Sequence, residues 1–398
     1  MTLGFVVEEF YHEDLRSFGG FGKTVKSISD YYNTQKGPFQ CKVILTTRVR
    51  FVDTPTIRRF HNADVLLLPF GDTDRDPFLG QYRTLLDSLS IDVFVSIDYY
   101  PSYNYALTAA PKIPLIVYIR DPRSSDIWRK ISAIDLELRE RNKETVEELI
   151  KLAGQKAAAM KDLMNMTQKS ERKVVFATNA RCLVDRAKKT YGLHHIKPYA
   201  LSHPMVLPNV RPAIYSNTPS LCYVGRLAAV KRFWIVLELA KRFPNITFYM
   251  LGDSANPELV DSIIGRYMPL RNVRLLGFTT GEEKARILSS CWALINTSVH
   301  EGVPVSFLEA FSYGKCVISC QNPDGLVEKY GYYTGEILGE GLDEGTYNKF
   351  SECIQALLQN SEDRITKGTA ARRYVKQHHS YAAFERQFTK ILREEQII

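Results

Sequence analysis

Residues 296–314 read NTSVHEGVPVSFLEAFSYG, and the succession of residue types implies a strand end, a turn and a helix. Just upstream, Trp292, Ala293, Leu294 and Ile295 form a short apolar run of the kind that lies buried in a parallel sheet. Asn296, Thr297 and Ser298 end that run with polar side chains. After Glu301 and Gly302, Pro304 suits a first helical turn, where a missing N–H is no loss. Val305, Leu308, Glu309 and Phe311 then continue at helical spacing. Free backbone N–H groups and the positive end of the macrodipole would collect at Gly302, Val303 and Val305, which is how a helix start holds phosphate.

Two carboxylates, Glu301 and Glu309, flank this anion site. They repel phosphate, but they accept hydrogen bonds from hydroxyls, so the pattern fits a ligand with a sugar on each side of a diphosphate. The competing reading makes Glu301 a solvated turn residue and Glu309 an ordinary helix residue.

Around this stretch the C-terminal half alternates. Strands are predicted at Leu221–Val224, Ile246–Leu251, Val273–Leu276 and Val317–Ser319, with helices at Phe233–Arg242, Glu258–Tyr267, Gly281–Ser290 and Thr346–Leu358. The tail, residues 370–398, reads as a charged helix. The strand at Leu221–Val224 ends in Gly225 and Arg226, and Lys231 and Arg232 open the next helix. Arg226, as a planar fork, and Lys231, as a point charge, suit a phosphate beyond the strand ends, though taken alone each reads first as a solvated loop cation.

The N-terminal half has the same rhythm. Leu3–Val7, Cys41–Thr46, Ala63–Leu68, Val93–Ile97, Leu115–Ile119 and Val174–Thr178 read as short buried strands of a doubly wound parallel sheet. Between the first strand and a helix at Lys23–Tyr32 lies Gly19, Gly20, Phe21, Gly22, a glycine loop that permits close ligand approach yet lacks GxGxxG and Walker spacing. Leu115–Ile119 ends in Arg120 and Asp121, and ligands of open α/β sheets sit beyond such ends. An ion-paired loop capped by Asp121 is the alternative. Asp72, Thr73 and Asp74 imitate a metal-binding DxD, but no apolar strand leads directly into them, and the motif is discounted. The segment Ser202–Pro212, with three prolines in eleven residues, is the candidate linker.

Composition sets the bounds. At 398 residues about two domains are expected. A hydrophobic content of 45% and a charged content of 24% are those of globular proteins, and no apolar run is long enough to span a bilayer. The first ten residues lack a basic region followed by an apolar core, so no secretory signal is read and a cytoplasmic location is expected. Net charge is +8, and residues 120–189 hold 17 Lys or Arg against 11 Asp or Glu, 17 − 11 = +6. That surplus, in a helix-forming stretch from Ile127 to Lys169, suits either a solvated face or peripheral contact with an anionic membrane at its inner surface. Nothing in the chain points to nucleic acid. Seven scattered cysteines read as reduced, packed thiols, and no Cys or His spacing suggests a metal.

Four segments carry a resemblance: VGRLAAVKR at Val224–Arg232, LGD at Leu251–Asp253, VRLLGF at Val273–Phe278 and EGVPVSFLEAFSYGKCVIS at Glu301–Ser319. They resemble the retaining glycosyltransferases of family four, with two glutamates separated by seven residues and a basic pair at Arg226 and Lys231. The likeness covers nearly all of the C-terminal half and, in the N-terminal half, only the glycine loop and the general alternation.

The resemblance implies a GT-B fold, α/β, with two Rossmann-like doubly wound domains facing across a cleft. It places an acceptor domain at residues 1–205, a nucleotide-sugar domain at 206–375 and a C-terminal helix at 376–398 packing back on the first domain. It further implies that Arg226 and Lys231 bind the diphosphate, Glu301 the donor sugar and Glu309 the ribose. Backbone at Gly302, Val303, Pro304 and Val305, with Leu308 behind it, would meet phosphate or sugar, the turns at Gly252 and Phe278 the base, and Gly20 the donor from the first domain. No cofactor and no metal are implied. The expected donor is UDP-glucose or UDP-N-acetylglucosamine, the acceptor a saccharide or lipid-linked saccharide, and the chemistry metal-independent hexosyl transfer in polysaccharide or glycolipid assembly. Asp121 is the one carboxylate nominated for a covalent double displacement, and Tyr118, Ile119, Arg120 and Asp121 occupy the strand end where many family members have a histidine. Rival readings are a GT-B epimerase or phosphorylase and a nucleotide-sugar-binding scaffold without turnover.

Overall fold

The structure is a computed structural model that describes residues 1–15, 20–35, 37–70, 78–134, 146–209, 215–254 and 256–398. Gly19, the DxD-like Asp72, Thr73 and Asp74, and the linker's last residues Val210, Arg211 and Pro212 lie outside the described residues. The chain divides into two compact units, Met1–Pro122 with Leu152–Leu201 and Arg386–Ile398, and Arg123–Lys151 with Ser202–Glu385.

Among the described residues, the first unit contributes β1 (Thr2–Val7), β2 (Gln40–Leu45), β3 (Thr56–Phe60), β4 (Ala63–Leu67), β5 (Val93–Ile97), β6 (Leu115–Ile119), β7 (Val174–Thr178) and β8 (Tyr199–Ala200). Their spatial order is β3-β4-β2-β1-β5-β6-β7-β8. The chain works outward from β1 and then returns to β5 on its other side, so β1 and β5 bound the switch point where such sheets take ligands. Valine, isoleucine and leucine fill the central strands, and every residue of β5 and β6 is buried because helices cover both faces. One strand departs from the expected parallel pattern. β3, with the sequence TIRRF, pairs antiparallel with β4 across a two-residue loop in which His61 has φ 50°. Its exposed Arg58 and Arg59 mark it as a sheet edge.

Helices α1 (Gly20–Thr34), α2 (Leu79–Ser88), α3 (Asn104–Ala109), α4 (Ser125–Ser132), α5 (Val146–Ser170) and α6 (Cys182–Tyr191) follow in the chain. α4 counts with the second unit, where Ile127, Trp128 and Ile131 join that unit's core.

The second unit's strands are β9 (Ser220–Val224), β10 (Thr247–Leu251), β11 (Val273–Leu275), β12 (Ala293–Asn296), β13 (Cys316–Ser319) and β14 (Gly331–Tyr333), in the order β11-β10-β9-β12-β13-β14 and parallel throughout. Its helices are α7 (Phe233–Arg242), α8 (Pro257–Gly265), α9 (Gly281–Ser290), α10 (Val305–Ser312), α11 (Leu326–Tyr330), α12 (Glu344–Gln359), α13 (Ser361–His378) and α14 (Tyr381–Glu394), the last ending among the first unit's residues. α7 is apolar on nearly every side, and Phe233, Trp234, Ile235, Val236, Leu237 and Leu239 are all buried. Trp234 satisfies its indole N–H on the Glu340 carbonyl at 2.8 Å.

In this sheet the chain moves from β9 out to β10 and β11 and then crosses back to β12 beside β9. The carboxyl ends of β9 and β12 therefore meet at a topological switch point, with Arg226 and Lys231 following one strand and Ser298 and Glu301 the other. The parallel topology brings together residues about 70 positions apart in sequence.

Candidate functional site of the second unit

Two loops build the site. After β9, a short turn at Ala229–Lys231 leads to Arg232, which adopts the left-handed conformation at φ 46°, ψ 48°. An arginine there is strained by roughly 1 kcal/mol or more, and its side chain shows what holds it. The fully buried guanidinium donates to Thr297 O at 2.7 Å, Ile337 O at 3.0 Å, Gly339 O at 2.9 Å, Ser298 O at 3.2 Å and Cys320 Sγ at 3.2 Å. The Thr297 hydroxyl donates back to Lys231 O at 2.7 Å, and Val299 N–H to Val230 O at 2.9 Å. Arg232, adjacent in sequence to a candidate phosphate ligand, is thus an internal rivet that fixes the β12 loop against the β9 loop. Its burial pulls its pKa below the ordinary guanidinium value.

Riveted this way, Lys231 Nζ lies 2.6 Å from Glu301 Oε1. The same oxygen accepts from Ser298 Oγ at 2.6 Å and Asn296 Nδ2 at 3.2 Å. Behind it the network continues: Ser319 Oγ donates to Asn296 Oδ1 at 3.1 Å and accepts from Gln321 N–H at 2.9 Å. Asn296 and Ser319 are register partners on β12 and β13, which explains a polar pair inside buried strands. Burial alone would raise the Glu301 pKa, but the Lys231 charge and the hydrogen bonds from Lys231, Ser298 and Asn296 outweigh it and hold the carboxyl below its usual range. Glu301 is therefore an ionised acceptor held in one orientation.

Downstream, Pro304 caps α10 in an extended conformation, one position before the first helical residue rather than within the first turn, and no side chain caps the helix start. Gly302 and Val305 are partly exposed and Val303 is buried. Leu308 is fully buried, so its side chain belongs to the core that seats α10. One turn inward, Glu309 accepts from Lys284 Nζ, on α9, at 2.7 Å through each of its oxygens. Sequence spacing gave no sign of Lys284, because α9 and α10 become neighbours only through the crossover that places β12 in the sheet.

Arg226 is exposed, and its backbone carbonyl accepts from the Tyr223 hydroxyl at 2.7 Å. Gly252, just past β10, has φ 153°, and a Cβ there would lie 1.8 Å from Gly225 O, so only glycine permits the two loops to cross. Its N–H donates to Gly277 O at 2.8 Å, which fixes the turn that presents Phe278, 53% exposed.

The remaining residues singled out from sequence lie in the first unit. Gly20 is the exposed first residue of α1. The next two amides, Phe21 and Gly22, both donate to Glu9 Oε1 at 2.8 Å, so the chain's own carboxylate takes the place a phosphate would occupy at this helix start. Asp121 follows β6, and its N–H and that of Arg120 point to Asp98, the latter at 2.7 Å from Oδ1. Asp98, at the carboxyl end of β5 with φ 51°, went unmarked in the sequence, although a lone aspartate closing the apolar run VFVSI was its signal. Burial, with a smaller push from Asp121, raises its pKa to about 6. Arg120 is buried with its guanidinium 5.2 Å from the Tyr118 ring centroid. Among the described residues no three His, Cys, Asp or Glu side chains form a metal-holding group.

Residues 210–374 match the family described as Glycosyl transferases group 1. Sucrose-phosphate synthase from Thermosynechococcus elongatus superposes with a TM-score of 0.69 at 14% identity, over 99% of this chain and 98% of that one. HepE from Anabaena, solved in complex with UDP and glucose, gives 0.66 at 14% identity over 98% of each chain. WaaG, a glycosyltransferase involved in lipopolysaccharide biosynthesis, gives 0.61 at 13% identity over 96% of this chain and 98% of that one. The chain thus has the GT-B architecture of two parallel-sheet α/β domains. The matching span, residues 210–374, contains both loops of the site and the helix start of α10.

Proposed function

We propose that this protein is a retaining hexosyltransferase that moves a sugar from a UDP-sugar, UDP-glucose or UDP-N-acetylglucosamine, to an acceptor hydroxyl. The observation that carries the proposal is the switch point of the second unit. There an ionised Glu301, bonded to Lys231, stands before an uncapped helix start, inside the segment that matches the family.

In this reading Arg226 and Lys231 balance the diphosphate, helped by the N–H groups of Gly302, Val303 and Val305, and Glu301 accepts from the donor-sugar hydroxyls. Glu309 accepts from the ribose, and the turns at Gly252 and Phe278 meet the base, with the exposed Phe278 ring as a stacking surface. The bond between the anomeric carbon and the diphosphate oxygen breaks while a bond to the acceptor oxygen forms on the same face. The acceptor's proton passes to the departing phosphate oxygen. No metal is required, because two cations and the helix start supply the countercharge. Asp121 remains the one candidate for a covalent intermediate, and Gly20 for a donor contact from residues 1–205, which bring the acceptor, while residues 206–375 bring the donor.

HepE's bound UDP and glucose support the choice of base and sugar, and WaaG's pathway supports a saccharide or lipid-linked saccharide acceptor. We place the enzyme in the cytoplasm, in peripheral contact with the inner face of an anionic membrane. Among the described residues no helix is long and apolar enough to cross one.

The test is donor turnover in excess EDTA with soluble and lipid-linked saccharide acceptors, read as UDP release and product anomeric configuration. Release of UDP with retained configuration is expected. Binding without consumption would make the protein a scaffold, release of a sugar phosphate a phosphorylase, and isomerisation of the donor without acceptor an epimerase. Activity restored only by magnesium would overturn the metal-independent chemistry.

A further inference from the structure

Glu309 is enclosed by a lysine that the proposed chemistry does not use. Lys284 Nζ sits 2.7 Å from both carboxylate oxygens, and the two side chains are only 12% and 16% exposed. The charges of both residues reach the buried thiol of Cys222 on β9, so the pair stands against the sheet rather than in open solvent. As a staple between α9 and α10 it has little to recommend it, because a buried ion pair generally holds a fold no better than apolar side chains of similar volume. Its geometry is more informative. A carboxylate offers about four lone-pair positions, and a single ammonium bridging both oxygens fixes the plane of the group.

We propose that Lys284 is a positioning and specificity residue for the nucleotide, one that orients Glu309 so that it reads the vicinal hydroxyls of a ribose. This rests on the donor-site reading above and adds a residue to it. Held by Lys284, Glu309 accepts from the 2′- and 3′-hydroxyls together and discriminates against a sugar lacking one of them. A carboxylate loosened by the loss of its lysine still accepts from whichever hydroxyl is present, and the discrimination goes.

The experiment is calorimetric titration of the full chain with UDP and with 2′-deoxyUDP, for wild type, Lys284→Met, Lys284→Gln and Lys284→Arg. Wild type is expected to prefer UDP by about tenfold, the size of one hydrogen bond to a charged acceptor. Lys284→Met should weaken UDP and bring the ratio to within about twofold, while Lys284→Arg, which can still bridge both oxygens, should retain most of it. If Lys284→Met does not fold, Lys284→Gln, which keeps a donor but not the charge, makes the same comparison. An unchanged ratio in the neutral variants, with both nucleotides weakened alike, would reduce Lys284 to a structural staple and overturn the inference. A wild-type protein that binds UDP but ignores the 2′-hydroxyl would overturn it too while leaving the donor site intact. Wild type binding neither nucleotide would instead remove the donor reading itself.

Discussion

Replacing Lys231 with methionine should destabilise the protein in a pH-dependent way, even without ligand. Lys231 lies 2.6 Å from Glu301 Oε1, with the two side chains 22% and 10% exposed. Removing one partner of a fully buried pair costs about 3–5 kcal/mol. Here Lys231 retains some solvent, and Ser298 and Asn296 still donate to the same oxygen. The expectation therefore drops to about 2 kcal/mol, or a thermal midpoint lower by about 4–8 °C for a unit of this size.

The pH dependence follows from the direction of the Glu301 shift. In wild type the folded-state pKa is depressed, so the ionised carboxyl adds stability above the unfolded-state pKa, and that contribution is lost as pH falls through the folded pKa. Without Lys231, burial dominates and the folded pKa rises. The variant's carboxyl is then best tolerated below the unfolded pKa and becomes a liability as pH rises through the folded value. The gap between wild type and Lys231→Met should be widest near about pH 7.5 and narrow toward about pH 4.5. Thermal melts of the apo protein across that range measure it. Equal midpoints at neutral pH, or a gap indifferent to pH, would refute the claim that this bridge sets the state of Glu301.

Other substitutions separate chemistry from scaffold. Glu301→Gln keeps the shape and one acceptor, so turnover should fall by about tenfold or more while nucleotide affinity changes little; an equal loss in both would remove its assigned role. Arg232→Met strands four backbone carbonyls that the guanidinium now satisfies, and urea denaturation should show a loss of about 3 kcal/mol or more. A loss within about 0.5 kcal/mol would mark Arg232 as a surface residue in effect. Gly252→Ala puts a Cβ against Gly225 O, so the β9 and β10 loops must part. UDP affinity should fall at least about tenfold, and wild-type affinity in that variant would show that the loop crossing does not shape the site.

Much of this architecture could be read from the chain because buried parallel strands leave continuous apolar runs. LIVYI, VVFAT and ALIN stand out against polar surroundings, and each is a strand within a residue or two of expectation. β3 escaped because TIRRF is an edge strand whose exposed arginines break the apolar run, and β14 because GYY is three residues long and follows a helix directly. The tail read as a single helix, yet α13 begins at Ser361, capped by Asn360, and the chain breaks at His379 before α14. The stretch from Ile127 to Lys169 contains α4 and α5, with residues 135–145 between them outside the description.

Of the candidate site, the two glutamates stood out as one pair and Arg226 and Lys231 as another, because the spacing within each strand–loop–helix unit is local information. The partners were not. Lys284 meets Glu309 across a crossover, Asn296 and Ser319 meet through strand register, and Arg232 looks like a loop cation until a left-handed turn sends it inward.

The central claim, that the second unit binds a nucleoside diphosphate, is most directly tested by a thermal-shift screen of the full chain against UDP, GDP and ADP, with and without EDTA. Selective stabilisation by UDP, undiminished by EDTA and amounting to about 2.7 kcal/mol at a hundredfold excess over Kd, is the predicted result. No shift with any of the three would contradict the account.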